Sequence, residues 1–220
     1  MKLVIYLPLI LLATIGFTNI SCLPKSDVEN AIVAEETTSE NASEAEEELV
    51  IAHVAVPDPT EKLVDIIAEN GIRKSDLKIY IDKSDYYLAV KHADSVLIKY
   101  PCVFGFNAVD DKAMEGDGCT PEGDFGVRSM YAHRSWKYFI WIDYPNAESW
   151  NRFKKRKADG EIPEDATIGG EVGIHGVPEG MDSMIDDGTN WTLGCISLKN
   201  AHITDLYKSI NKYTKIEIVP

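Results

Sequence analysis

The chain has 220 residues, of which 45% are hydrophobic, 26% charged and 9% aromatic, a balance that suits one globular domain with residues to spare and excludes a fibrous or wholly disordered polymer. Its 22 Lys and Arg stand against 36 Asp and Glu, so a net charge of −14 removes the general electrostatic basis for gripping a phosphate backbone, and no nucleic-acid partner is expected. More than half of that charge lies between Lys25 and Glu48, where acidic residues outnumber a single base, and the rest of the chain is only moderately acidic.

The chain begins with an address. Lys2 precedes the apolar run Leu3 to Phe17, interrupted by Pro8 and followed by Thr18-Asn19-Ile20-Ser21, so residues 1–21 read as an export signal, too short to span a bilayer comfortably. Cys22, directly after Ser21, resembles the lipobox cysteine of bacterial lipoproteins, although Asn19 stands where Leu is usual. That resemblance implies a lipid anchor on Cys22 and a place in the periplasm or cell envelope; plain secretion with Cys22 as a spare thiol is the alternative. Residues 22–59 are rich in Glu, Ser, Thr, Ala and Asn and contain no aromatic residue, so they read as an acidic tether with roughly 30 Å of typical reach, or as a merely solubilising tail.

A helical lead-in over 60–76 follows, with Thr60 as its cap, Leu63, Ile66 and Ile67 on one face, and Gly71 at its end. From Leu77 the hydrophobic period changes from that of a helix to that of a strand. Leu77 to Ile81, Tyr86 to Lys91 and Ser95 to Val103 are separated by Asp82-Lys83-Ser84-Asp85 and His92-Ala93-Asp94, which predicts an antiparallel meander. Further strands are predicted at Phe125 to Tyr131, Tyr138 to Asp143, Val172 to His175, Cys195 to Leu198 and Lys215 to Val219. Ala147 to Lys157 and Asn200 to Tyr213 carry helical spacing, the second capped by Asn200. The fold class is therefore mainly β, a sandwich or barrel with a few short helices.

Chemistry concentrates in two of these runs. Trp191-Thr192-Leu193-Gly194-Cys195-Ile196-Ser197-Leu198 opens a buried strand with a thiol, and Val172-Gly173-Ile174-His175-Gly176 ends another with an imidazole. Side by side they would join a nucleophile to its base, because only the thiolate attacks and an adjacent His can take its proton and return it to a leaving amine. The Gly176 carbonyl can hold the second ring nitrogen, the amides of Gly194 and Cys195 can meet an oxyanion, and Thr192 can steady the turn. Alone, a Cys and a His on apolar strands also fit plain core packing. Five His and no Cys-x-x-Cys spacing offer no metal cage, so no metal or cofactor is expected. His53, His92, His133 and His202 have no partner motif and read as surface or packing residues.

The array His175-Gly176, a spacer, then Thr192-x-Gly194-Cys195 resembles the signature of the YkuD-like L,D-transpeptidases, and Gly116-Asp117-Gly118-Cys119-Thr120-Pro121-Glu122-Gly123 is similar to that family's GDG-x-TPEG segment. Tyr144-Pro145-Asn146, Arg152, Gly169-Gly170 and Leu206-Tyr207 fit as well, so the resemblance covers most of the chain from Leu77 onward. Two positions depart from it: Leu193 stands where many members have His, and Ser197 where they have Arg or Asn. The resemblance implies a catalytic domain over 77–220 with the family's β-sandwich or barrel fold. It implies that Cys195 attacks a tetrapeptide stem of peptidoglycan, releases D-alanine and holds the stem as a thioester until an amine of another stem resolves it, with carbapenems as covalent inhibitors. A carboxypeptidase or amidase acting through the same acyl-enzyme, and a non-catalytic wall-binding lipoprotein, are the alternatives.

Three further features carry paired readings. Val177 to Asn190, with Asp182, Asp186 and Asp187, reads as a lid or as a solvated loop. Trp136, Tyr138, Phe139, Trp141 and Tyr144 read as groove lining or as sheet core. Cys102 and Cys119 are expected to form a disulfide, two unpaired thiols being the alternative.

Overall fold

The computed structural model describes residues 61–220. The segment expected to be a signal over 1–21, Cys22, the tether expected over 22–59, His53 and the Thr60 cap lie outside the described residues.

In chain order the elements are α1 (Leu63–Glu69), β1 (Leu77–Asp82), β2 (Tyr87–His92), β3 (Ser95–Val103), β4 (Gly123–His133), β5 (Lys137–Ile142), α2 (Ala147–Ala158), β6 (Gly173–Gly176), α3 (Ser183–Asp186), β7 (Ile196–Leu198), α4 (Asn200–Ser209) and β8 (Lys215–Val219). The strands close into a barrel in the order β1-β2-β3-β7-β6-β5-β4-β8, with β8 returning to β1. Strands β1, β2 and β3 form the antiparallel meander that their two short polar turns predict. Two pairings are parallel instead, β1 with β8 and β6 with β7. A parallel neighbour needs a long crossover rather than a hairpin, and the stretch carrying α3 supplies one between β6 and β7.

Alternation along the strands fills the barrel. Ile79, Leu88, Ile140, Ile174, Ile196 and Leu198 are wholly inaccessible to solvent, and Ile203 and Leu206 of α4 join the same core. Each such side chain contributes about 1.5–3 kcal/mol by leaving water. Cys102 belongs to this core, whereas the Cys119 thiol donates to the Asp117 carbonyl of its own loop at 3.6 Å. The expected disulfide is therefore not formed, and both thiols are unpaired.

Several element ends differ from the sequence reading, and three of the differences have a visible cause. Tyr86, expected to open β2, sits in the turn at φ 55°, which directs its ring against Phe104 at 5.5 Å and lets its hydroxyl accept from the Asn190 side chain at 2.8 Å. The second long helix stops at Ser209, because Ile210 adopts extended backbone. Asn200 is the first residue of that helix rather than its cap, and its amide donates to the Asp182 carboxylate at 2.8 Å.

The first helix, at seven residues, is too short to hold itself together by propensity. Its inner face buries Leu63, Ile66 and Ile67, and Lys62 at its N-cap position makes no side-chain capping bond. Asp205 of α4 takes that part. Its carboxylate accepts from the amides of Leu63 at 2.8 Å and Val64 at 3.2 Å, and from the Tyr100 hydroxyl at 2.8 Å. Burial, with that carboxylate, pushes the Tyr100 phenol far above its usual range. We predict that Asp205→Ala, which strands three donors, lowers stability by about 2–3 kcal/mol in denaturant unfolding, and that Asp205→Asn loses less. Equal stability of Asp205→Ala and the wild type would contradict the capping role.

Candidate active site

The β6–β7 pairing sets the site's geometry. Ile174 faces Ile196 and His175 faces Ser197 in register, and since both isoleucines point into the barrel, His175 and Ser197 point to its outer side. Cys195, two residues before Ser197, stands at the start of the same outer face. Gly173 and Phe139 share that face through the register with β5. A Cβ on Gly173 would lie 2.5 Å from the Phe139 ring, so the missing side chain is what lets that ring pack over the strand.

The turn before β7 is braced from within. The Thr192 hydroxyl donates to the Cys195 carbonyl at 2.7 Å and accepts from the Gly194 amide at 3.2 Å. Gly194 has φ 139°, and a Cβ there would meet the Cys119 carbonyl at 2.7 Å; Gly105 in turn lies so close that its Cβ would stand 3.0 Å from the Gly194 Cα. Only glycine satisfies both the dihedral and the close approach. One expectation is corrected here. The Gly194 amide, assigned to an oxyanion pocket, is already engaged by Thr192, which leaves the Cys195 amide as the remaining backbone donor at that turn.

Cys195 is partly exposed, and its thiol donates to the Glu171 carbonyl at 3.6 Å rather than to the imidazole. Glu171 holds that carbonyl in place from a left-handed conformation at φ 56°. Loss of hydration pushes the Cys195 thiol up to about 11, opposed by a hydrogen bond from the Gly173 backbone and by the charge of Lys112. His175 is 1% exposed, and its Nδ1 donates to the Gly176 carbonyl at 2.7 Å, which leaves Nε2 as an acceptor. Burial takes its pKa down to about 4, against the pull of that hydrogen bond. At neutral pH both groups are therefore uncharged.

Aromatic rings box the imidazole. Trp136 stacks on it at 4.4 Å, Phe139 at 5.8 Å, and Trp191 meets it edge-on at 5.6 Å. The aromatic cluster of the sequence thus divides: Tyr138 stacks on Tyr207 at 4.2 Å and Tyr144 is buried with its hydroxyl on the Ile168 carbonyl, so neither lines the site. His133, read as a surface or packing residue, stacks on Trp136 at 4.4 Å. The stretch from Val177 to Asn190 is neither a free lid nor a bare loop. Val177 and Ile185 pack on Val103, Asp186 pairs with Lys199, and the Asn190 side chain accepts from the Phe104 amide at 2.9 Å.

The Gly116 to Gly123 segment forms the ground under the nucleophile turn. Asp117 accepts from the amides of Ala113, Met114 and Cys119, and Thr120 from the amide of Gly105. Lys112, which the sequence reading passed over, is buried against Asp117 at 2.8 Å. Among the described residues no group of three or more His, Cys, Asp or Glu could hold a metal ion.

The model of the L,D-transpeptidase catalytic domain, YkuD, matches residues 76–218. The chain belongs to the YkuD family. No curated protein matches it. Among solved structures it is similar to Bd1075 of Bdellovibrio bacteriovorus, with 21% identity, 66% of this chain and 48% of that chain covered, and a TM-score of 0.46. It is similar also to the helical cell shape determining protein Pgp2 of Campylobacter jejuni, with 18% identity, 71% and 55% coverage and a TM-score of 0.45. L,D-transpeptidase 3 of Mycobacterium tuberculosis, solved with a faropenem-derived adduct, gives 12% identity, 66% and 60% coverage and a TM-score of 0.45. The chain spans roughly half to three fifths of the length of these three, and family membership rests on the family model. At the two positions that depart from the YkuD pattern, Leu193 is 77% exposed and Ser197 is fully buried with no partner for its hydroxyl.

A neutral buried His175 has a stability signature. Its pKa of about 4 lies below its ordinary 6.5, so the unfolded chain binds the proton first on acidification. The stabilisation from the neutral ring is complete above about pH 6.5 and lost as pH falls toward 4, a change of about 3 kcal/mol. Denaturant unfolding of wild type and His175→Gln between pH 7 and pH 4 should show the wild type losing the larger amount by about that difference. Parallel curves would contradict it.

Proposed function

We propose that this YkuD protein is an exported peptidoglycan L,D-transpeptidase that works through a Cys195 thioester. The observation that carries the reading is the register of β6 on β7, which sets His175 and the Cys195 turn on one outer face with Nδ1 tied to Gly176 and Nε2 free to accept a proton.

The step sequence balances. Sulfur attacks the carbonyl carbon of meso-diaminopimelate in a tetrapeptide stem while the thiol proton passes to His175 Nε2. The tetrahedral oxyanion is met by the Cys195 amide. Collapse breaks the bond to D-alanine, whose amine leaves with the proton from His175, and a thioester remains. A side-chain amine of a second stem then attacks, gives its proton to His175, and the restored thiol departs with that proton. The aromatic box excludes water from the imidazole and fixes its plane. The protein is taken to be anchored through Cys22, with residues 22–59 spanning from membrane to wall.

Incubation of the purified protein with muropeptides, followed by mass analysis, tests the reaction: cross-linked dimers support transfer, and trimmed tripeptides alone would replace it with a carboxypeptidase. Cys195→Ala and His175→Ala are each expected to reduce turnover by at least about a thousandfold with the fold retained. Near-normal activity in either would overturn the mechanism. A carbapenem is expected to add its mass at Cys195, and an adduct located elsewhere would contradict the nucleophile. If Cys22 anchors the protein, deletion of residues 29–48 should impair wall cross-linking in cells and leave the reaction in solution unchanged; intact cross-linking in cells would make the acidic stretch a solubiliser.

A further inference from the structure

Lys112 is, with Lys83, one of two lysines that the described residues bury. Its side chain is 3% exposed, and it lies in the loop between β3 and β4, not on the strands that carry His175 and Cys195. Two of the ammonium's three donors are fixed, one to Asp117 Oδ1 at 2.8 Å and one to the Met114 carbonyl at 3.1 Å. The loop itself is pinned, since Arg156 donates to the Lys112 carbonyl at 2.6 Å and to Asp111 at 2.8 Å. The ammonium packs against the nucleophile turn: a Cβ on Gly194 would stand 3.9 Å from Nζ. Burying a Lys costs several kcal/mol unless its partners are good, and Asp117 already shares its charge with three backbone amides. A structural lysine would satisfy itself equally well far from a reacting sulfur.

We infer that Lys112 is a positioning residue for Cys195, a fixed positive charge behind the Gly194 turn that favours the thiolate, and then the oxyanion, as the sulfur attacks. The inference rests on Cys195 being the nucleophile and does not depend on which acyl group it takes. The charged and titratable groups facing Cys195 are Lys112 with its partner Asp117 from the loop below, Glu171 from the turn into β6, and His175 on β6. Of these Lys112 draws the thiol toward ionisation, and Glu171 opposes it. His175 is uncharged at neutral pH and contributes as a proton acceptor. Lys112 is thus the one cation on that list, and its carbon stem and Asp117 hold it in one place through the reaction.

The test reads the thiol directly. Iodoacetamide alkylation of Cys195 in the full protein, located by peptide mass so that Cys102 and Cys119 are separated from it, is followed against pH for wild type, Lys112→Met and Lys112→Arg. Lys112→Met is expected to slow alkylation at neutral pH about tenfold and move the midpoint of the profile up by about one unit, and Lys112→Arg to restore most of the rate. A folded Lys112→Met with an unchanged profile overturns the inference, as does an equal loss in Lys112→Arg. Asp117→Asn decides the matter if Lys112→Met does not fold. Removing the countercharge leaves the ammonium unopposed, so the midpoint should move down, and a midpoint that stays or rises overturns the inference. Because alkylation requires no stem peptide, failure of the transpeptidase reading leaves this result interpretable.

Discussion

The parallel register between β6 and β7 is the constraint on which the site depends. With Ile174 opposite Ile196, both aliphatic side chains enter the barrel and the residues either side of them leave it. A slip of one position would exchange the two sets, driving His175 into the hydrocarbon core and an isoleucine onto the outer face. The geometry of the candidate site is thereby enforced by the same burial that holds the barrel together, with the Gly176 carbonyl and the rings of Trp136 and Phe139 keeping the imidazole in place. Glycine completes the arrangement from below, because the Gly105 and Gly194 backbones meet where any side chain would separate them.

Around that frame the chemistry is arranged as two uncharged partners in a partly dry setting. Burial drives the thiol and the imidazole away from their charged forms, so the resting site holds no preformed ion pair. The Cys195 thiol meets the Glu171 carbonyl and the Gly173 backbone, while the imidazole packs against both Trp136 and Phe139, which also neighbour each other. With Leu193 and Ser197 standing where the YkuD pattern commonly has His and Arg or Asn, His175 is the one base candidate that the motif supplies near Cys195.

Much of the fold was legible along the chain. Period-two runs marked the strands, with β3 and β8 matching to the residue, and the spacing of Leu63, Ile66 and Ile67 marked α1. The His175-Gly176 and Thr192-x-Gly194-Cys195 runs identified the site because their chemistry is local in sequence. What stayed hidden was non-local. Lys112 belongs to no motif, and nothing in its neighbours reveals that the loop folds under Gly194. Asp205 belongs to none either, yet it caps a helix 142 residues away. The Gly194 amide was misassigned because the Thr192 hydroxyl, two residues earlier, reaches it only once the turn has closed. The disulfide failed for the same reason: proximity in sequence and compartment says nothing about one thiol facing the core and the other facing its own loop.

The seam between β1 and β8 joins the earliest strand of the barrel to its last. A chain that has not yet reached β8 therefore cannot complete the cylinder, and without it β1 and β4 each keep an unpaired edge along the side that β8 fills. Closure between such distant segments carries a high contact order, so maturation is a late, whole-chain event rather than a stepwise one. Removal of Lys215–Val219 alone would take away the keystone between β1 and β4.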